Sequence, residues 1–199
     1  FFKGFANIAY KLTEEGETGV ELEEMYLLSS ALPGNLQLKV GQFFAEFGRQ
    51  NVQHPHSWAF TDQQLLLGRM FGREGLRSQG ARLSWLLPTS FYTEASVAVM
   101  NSAGGTTSSF RSEGSSEIHG GVALERGVRG FGDMLYVPRI ASSFDLTNTQ
   151  TVLFGLSGAF GPNNSGPDAR TRIYGADAYW KWKSPRARQG FPFVSFQGE

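Results

Sequence analysis

The segment Gly80–Asn101 constrains the fold most strongly, because apolar and polar residues alternate along two successive runs within it. The apolar positions are Ala81, Leu83, Trp85 and Leu87 in the first run, and Thr93, Ala95, Val97 and Val99 in the second. Successive side chains of a strand point to opposite faces, so each run predicts a strand with one apolar face. A Leu-Pro-Thr-Ser turn joins them, since Pro88 cannot donate to a ladder. The segment therefore predicts a β-hairpin whose polar face carries Arg82 and Glu94.

Strand patterns of this kind recur along the chain, and nine are visible in total. The other seven are Phe2–Leu12, Val20–Ser30, Leu36–Phe47, Met134–Phe144, Gln150–Phe160, Arg172–Lys183 and Phe191–Glu199. Short turns follow the even-numbered strands, whereas residues 49–79 and 103–132 are predicted to be long loops after odd-numbered ones. This order indicates an up-and-down antiparallel sheet, and it is typical of an outer-membrane barrel.

The apolar faces have two interpretations. In a soluble β-sandwich they would pack on a second sheet, whereas in a membrane barrel they would face lipid. The long strands favour lipid, as do the nearly uncharged apolar faces, the Trp180, Trp182 and Tyr26 side chains near short turns, and opposite faces that mix charged with small residues. We therefore predict an all-β, up-and-down antiparallel transmembrane β-barrel. Residues 1–199 would form a single segment of a larger barrel, and we expect it to be cut at both ends.

Composition argues against several other classes. The net charge is zero, which disfavours nucleic-acid binding by bulk charge. Without cysteine the chain has neither disulfides nor thiolate metal ligands. No Gly-x-Ser-x-Gly motif and no Gly-rich phosphate loop between a strand and a helix occurs, so catalysis finds little support. We expect a protein that is not an enzyme and holds no cofactor, apart from the zinc considered below.

Three motifs resemble a known family. They are the run LQLKVGQFFAEFGRQN at Leu36–Asn51, the segment HPHSW at His54–Trp58, and GLRSQGA at Gly75–Ala81. The resemblance is to large outer-membrane barrels of Gram-negative bacteria that are related to phosphate-selective porins. Some members carry names that imply zinc-regulated, TonB-dependent receptors. The resemblance implies location in the bacterial outer membrane and a barrel with more strands than the nine visible here.

Five arginines in or beside the first long loop form one candidate site: Arg49, Arg69, Arg73, Arg77 and Arg82. If the loop folds into the barrel, these guanidinium groups would narrow the pore and favour anions. The alternative is that the arginines pair with carboxylates, for example Glu46 or Glu74, and so fix the loop to the wall.

A second candidate site is the His54-Pro55-His56 motif, since histidine is the commonest metal ligand. Zinc is the metal considered, with Asp62 or His119 completing the ligand set. Residues two apart in an extended segment point to opposite sides, so a shared ion needs a bend. The alternative is loop packing, in which the rings bond to the backbone and contact Trp58.

The predicted function is an outer-membrane, porin-like channel for anions or small polar solutes. Its partners would be the lipid bilayer with lipopolysaccharide, the solute, and either further copies of the chain or a partner in an envelope complex. One alternative is a soluble β-sandwich that binds carbohydrate through exposed Trp and Tyr. Another is a non-conducting barrel that serves as a scaffold or receptor in an envelope complex.

Overall fold

A computed structural model describes residues 1–12, 18–54, 57–58, 61–111, 128–188 and 190–199. The strands are β1 (Phe2–Leu12), β2 (Thr18–Leu32), β3 (Leu36–Phe44), β4 (Arg77–Leu86), β5 (Tyr92–Met100), β6 (Leu135–Thr147), β7 (Gln150–Pro162), β8 (Arg170–Arg188) and β9 (Phe191–Gly198). One α-helix, α1 (Leu65–Phe71), and two short 3-10 turns, Pro33–Asn35 and Phe131–Asp133, complete the regular structure of the described residues. None of the helices in these ranges is long and apolar enough to span a bilayer.

All nine strands form one antiparallel sheet in which each strand pairs with its neighbours in the chain. The prediction of an all-β, up-and-down antiparallel architecture is confirmed. The sheet is open, because β1 and β9 lie at its two edges and do not pair with each other.

The two rims of the sheet differ as predicted, but the first long connection has different bounds. The β3–β4 ladder runs to the pair Phe44 and Arg77, so the connection comprises residues 45–76 and both Arg77 and Arg82 lie on β4. We call residues 45–76 the inward loop. The rim that it shares with residues 101–111, 128–134 and 163–169 is the long-loop rim, and the short turns lie at the other end. Residues 112–127 of the predicted second long loop lie outside the described residues.

The two faces of the sheet differ in what covers them. The inner face packs against the inward loop, and the outer face is its opposite. On the β4–β5 hairpin, Leu83 and Trp85 lie on the outer face, 43% and 45% exposed, whereas Arg82 and Met100 on the inner face are buried. The alternation predicted for this hairpin is therefore confirmed.

The predicted facing of β2 is wrong at its second half. Uninterrupted alternation along the sequence of this strand predicts that Tyr26 and Leu28 lie on the same face as Val20 and Leu22. The β1–β2 register shifts between Glu24 and Leu22, so Glu23 is an extra residue, and a bulge of this kind moves every later side chain to the other face. Tyr26 consequently lies on the inner face, where its ring centroid is 4.8 Å from Lys39 Nζ.

The hydrophobic core lies between the inward loop and the inner face near the long-loop rim. The loop contributes Ala45, Phe47, Leu67, Phe71 and Leu76, and the strands contribute residues such as Phe43, Met100, Leu135, Val137, Ala159 and Ile173. Phe110, from the connection between β5 and β6, also belongs to this core. The inward loop is thus fixed by burial of its own apolar side chains.

Candidate functional site

The first residues of the inward loop cross the inner face toward β7, β8 and β9. Gly48 N donates to Ser157 Oγ at 3.0 Å, and its φ of 61° suits glycine. The Arg49 guanidinium lies 4.2 Å from the ring centroid of Tyr179. Gln50 N donates to Glu199 Oε2 at 3.0 Å. A segment that leaves β3 thus contacts β7, β8 and the end of β9. The sheet must therefore curve around this segment.

Asn51 holds the two ends of the inward loop together. Its Nδ2 donates to Ala45 O at 2.7 Å and to Leu76 O at 3.0 Å, and its Oδ1 accepts from Leu76 N at 2.8 Å. A Cβ on Gly75 would lie 2.8 Å from Asn51 Oδ1, and Gly75 has a φ of 71°. Asn51 and Gly75 therefore form a compact base from which the loop leaves the sheet.

Helix α1 supplies the apolar side of the loop. Leu67 and Phe71 point into the core, and the Phe71 ring packs edge-on against Phe47 with centroids 5.1 Å apart. The helix ends at Gly72, whose N–H bonds back to Gly68 O and whose φ of 80° suits glycine at a helix C-terminus.

Two of the five predicted arginines are fixed by carboxylates. Arg82 is 5% exposed, and its Nη2 pairs with Glu94 on β5 and, at 2.6 Å, with Glu46 of the inward loop. Lys39 Nζ lies 3.6 Å from Glu46 Oε1. Arg82 therefore links the loop to the sheet through Glu46, which is the pairing that the alternative interpretation named.

Arg77 makes a similar link at the long-loop rim. Its Nη2 pairs with Glu21 of β2 and lies 3.4 Å from Glu74 Oε2. Its guanidinium carbon is 5.5 Å from the ring centroid of Phe44. Because the Arg77 side chain is almost completely buried, these partners hold it in place.

The remaining three arginines have other surroundings. Arg49 stacks on Tyr179, and its Nε has no hydrogen-bond partner among the described residues. Arg69 and Arg73 are exposed. The five arginines thus occupy three environments: paired, stacked and solvent-exposed.

The inner face carries a second buried ion pair farther along the sheet. Arg139 of β6 donates to both carboxylate oxygens of Asp177 on β8, at 2.7 and 3.0 Å, and to Ser157 Oγ at 2.6 Å. Asp177 is 4% exposed. Polar and charged groups therefore extend over the inner face from β2 to β8.

Of the residues in the metal hypothesis, the structure describes His54 and Asp62. His54 lies between two carboxylates, with Nδ1 at 3.3 Å from Glu23 and Nε2 at 3.1 Å from Glu24. His56 and His119 lie outside the described residues, and Asp62 is exposed. In the described ranges no group of three or more His, Asp or Glu side chains is arranged to hold a metal ion. The Glu23 and Glu24 contacts of His54 were not predicted.

Comparison with known proteins gives one informative match. The chain is 34% identical over 209 residues to an uncharacterized protein of Aquifex aeolicus (strain VF5). The match covers the whole chain and 41% of that protein, so the chain spans less than half the length of this relative. No protein-family model and no solved structure matches the chain.

Proposed function

We propose that the chain is a segment of an outer-membrane β-barrel that acts as a porin-like channel for anions or small polar solutes. The observation that carries the proposal is the opposite character of the two faces. Large apolar side chains cover the outer face, and they include Ile8, Leu27, Val40, Leu83, Trp85, Phe154, Leu156 and Tyr174, each at least 43% exposed. Ion pairs and buried polar groups lie on the inner face. A barrel wall between lipid and water needs this arrangement.

The extent of the apolar outer face supports lipid rather than water as its neighbour. Soluble monomers rarely expose contiguous apolar patches larger than a few hundred Å². The described residues form a single sheet, so they supply no second sheet to cover this face as a β-sandwich would. These facts favour the barrel over a soluble carbohydrate-binding sandwich.

The inward loop supports a channel with a constriction. Its segment 45–50 crosses the inner face and is fixed there by Arg82, Ser157 and Glu199. A loop held in this way narrows a pore without being part of its wall. Arg69 and Arg73 are the exposed cations of the loop, and exposed guanidinium groups in a constriction attract anions.

The proposal places the protein in the bacterial outer membrane, with lipopolysaccharide and lipid against its outer face. The family resemblance of the 36–51, 54–58 and 75–81 motifs supports this location. Additional strands would extend the open edges at β1 and β9, because an unpaired strand edge cannot remain within a bilayer. Further copies of the chain, or an envelope-complex partner, would bind at the remaining surfaces.

A non-conducting barrel that serves as a scaffold or receptor is the second candidate. The continuous core between the inward loop and the inner face favours it, because this part of the interior is filled with side chains. Conductance distinguishes the two candidates, since a scaffold inserts into the membrane without carrying current.

The test is single-channel recording of the full-length protein in planar bilayers, together with its heat-modifiable migration on a gel. We expect discrete conductance steps and a preference for anions in the wild type. In the double variant Arg69→Gln/Arg73→Gln, the reversal potential should move toward zero, the value of a non-selective pore. Trp85→Phe on the outer face is the matched control and should leave selectivity unchanged. Insertion without conductance would support the scaffold, and cation preference would refute the role of the arginines. A protein that stays monodisperse without detergent would support the soluble sandwich.

A further inference from the structure

A cleft of about 200 Å³ opens at the long-loop rim, between the inward loop and the adjoining ends of β2, β3 and β4. Phe44 and Trp58 give it aromatic carbon, and Gln50 and Gln53 give it amide groups. Trp58 Nε1 donates to Gln53 O at 2.9 Å, which fixes the orientation of the indole. The volume equals that of about six or seven water molecules, so the cleft fits a solute built on one small ring.

The side chain of Gln50 indicates that the cleft binds a ligand. It is 2% exposed, and its Oε1 accepts a hydrogen bond from Gln64 N at 3.2 Å. That bond identifies Nε2 as the amide's free end, and Nε2 is buried without a hydrogen-bond partner among the described residues. A buried donor without an acceptor is unfavourable. An oxygen atom of a bound solute would satisfy it.

The charges that line the cleft cancel. Glu23 and Glu74 contribute two carboxylates, and Arg73 and Arg77 contribute two guanidinium groups. Arg77 pairs with Glu74, and Glu23 lies 3.3 Å from His54. An anion would be repelled by the carboxylates and a cation by the arginines, so the lining favours a solute without net charge.

We propose that this cleft binds a neutral, polyhydroxylated solute of monosaccharide size. Trp58 and Phe44 would contact the C–H surface of the sugar ring, and the Gln50 and Gln53 amides would bond to hydroxyl groups, since amides both donate and accept. Arg73, which is exposed and makes no ion pair with a described residue, would donate to a further hydroxyl. The inference rests on the proposed channel, which would bring such a solute to this rim, and it concerns the small polar solutes of that proposal rather than the anions.

The test is saturation-transfer NMR with glucose as the probe and the folded, full-length protein in detergent. We expect saturable binding that weakens about tenfold in Trp58→Ala and roughly fivefold in Gln50→Leu, which removes the free donor. Trp85→Ala, a tryptophan on the outer face, is the matched control and should bind as the wild type does. Arg73→Gln removes a charge but keeps a donor, and should weaken glucose binding less than Gln50→Leu does.

Three results would overturn the inference: no saturable binding of glucose, equal loss in Trp58→Ala and Trp85→Ala, or displacement of glucose by equimolar inorganic phosphate. Heat-modifiable migration shows that each variant is folded, and Trp58→Phe should recover part of the affinity if the aromatic surface matters. The measurement needs no current through the protein. Glucose binding without conductance would therefore refute the channel and support the cleft, and conductance without glucose binding would refute the cleft alone.

Discussion

Arg82 stands between two carboxylates that belong to different parts of the chain. Glu46 comes from the inward loop and Glu94 from β5, and their side chains are 24% and 26% exposed. Without the guanidinium, two partly buried carboxylates would remain close together, with Lys39 beside Glu46 and the Tyr92 hydroxyl donating to Glu94. Repulsion between the two carboxylates, together with the cost of their desolvation, would oppose docking of the inward loop.

We expect Arg82→Met to lower the free energy of unfolding by about 3 kcal/mol, because it leaves both carboxylates without their main partner. Urea titration of the protein in detergent or lipid vesicles measures this quantity. Arg69→Met is the matched control: Arg69 is exposed on α1, and the change should stay within about 0.5 kcal/mol. Equal losses in the two variants would show that the Arg82 ion pairs contribute nothing to stability.

Which arginines matter could be predicted only in part from the sequence. Charge density in the first long loop identified all five, and pairing with Glu46 or Glu74 was one of the two interpretations. The partner Glu21 lies 56 residues before Arg77, and no local pattern connects residues so far apart. The role of Asn51 has no sequence signal apart from the family motif. Its three hydrogen bonds exist only once both ends of the loop are in place.

The inward loop packs tightly on the sheet where Phe47 lies against β8. A Cβ on Gly175 would lie 2.7 Å from the Phe47 ring, closer than side chains normally approach. Glycine at this position is therefore a requirement of the loop's docking rather than of the strand itself.

We expect Gly175→Val to displace Phe47 and loosen the inward loop. Limited proteolysis should then cut within residues 45–76 faster than in the wild type, and single-channel conductance should increase as the constriction widens. Gly4→Val is the matched control, because Gly4 also lies on a strand but its Cβ would make an ordinary 3.6 Å contact with Leu27. Unchanged proteolysis in Gly175→Val would mean that the loop is not held by this contact.

Within the strands, the outer face should respond to charge as a lipid-facing surface does. Val40 lies midway along the β3–β4 pairing and is 47% exposed on the outer face. We expect Val40→Arg to lower the free energy of unfolding in vesicles by about 2–4 kcal/mol, the cost of a cation near the bilayer midplane. Gln37→Arg is the matched control, because Gln37 lines an open hollow of the inner face beside Glu94. An unchanged free energy of unfolding in Val40→Arg would indicate that water covers the outer face.

For the strands, the sequence predicted the facing of the side chains well where the alternation of apolar and polar residues is uninterrupted. The β4–β5 hairpin has the predicted facing. The alternation along β8 agrees with the structure as well, since Asp177 is buried on the inner face and Tyr174 is exposed on the outer face. The prediction failed in β2, because a bulge adds one residue and no sequence signal marks Glu23 as the extra one. The predicted end of β3 was also wrong. Apolar residues lie on both faces there, so the alternation does not show where the strand ends and the inward loop begins.

For the whole molecule, the number and order of the strands followed from the spacing of turns and loops. The inward path of residues 45–76 did not, because it depends on a core assembled from the loop, β3, β5, β6, β7 and β8 together. The sheet curves around that core, so its outer face is convex and apolar. The central claim is that lipid covers this outer face.

Site-directed spin labelling of the membrane-reconstituted protein tests that claim most directly. The chain has no cysteine, so single cysteines at residues 81–85 can be labelled without background. We expect alternation: labels at Ala81, Leu83 and Trp85 should be accessible to oxygen dissolved in the bilayer, and labels at Arg82 and Ser84 should not. Accessibility of Leu83 and Trp85 to a water-soluble nickel reagent, with no alternation along β4, would contradict it.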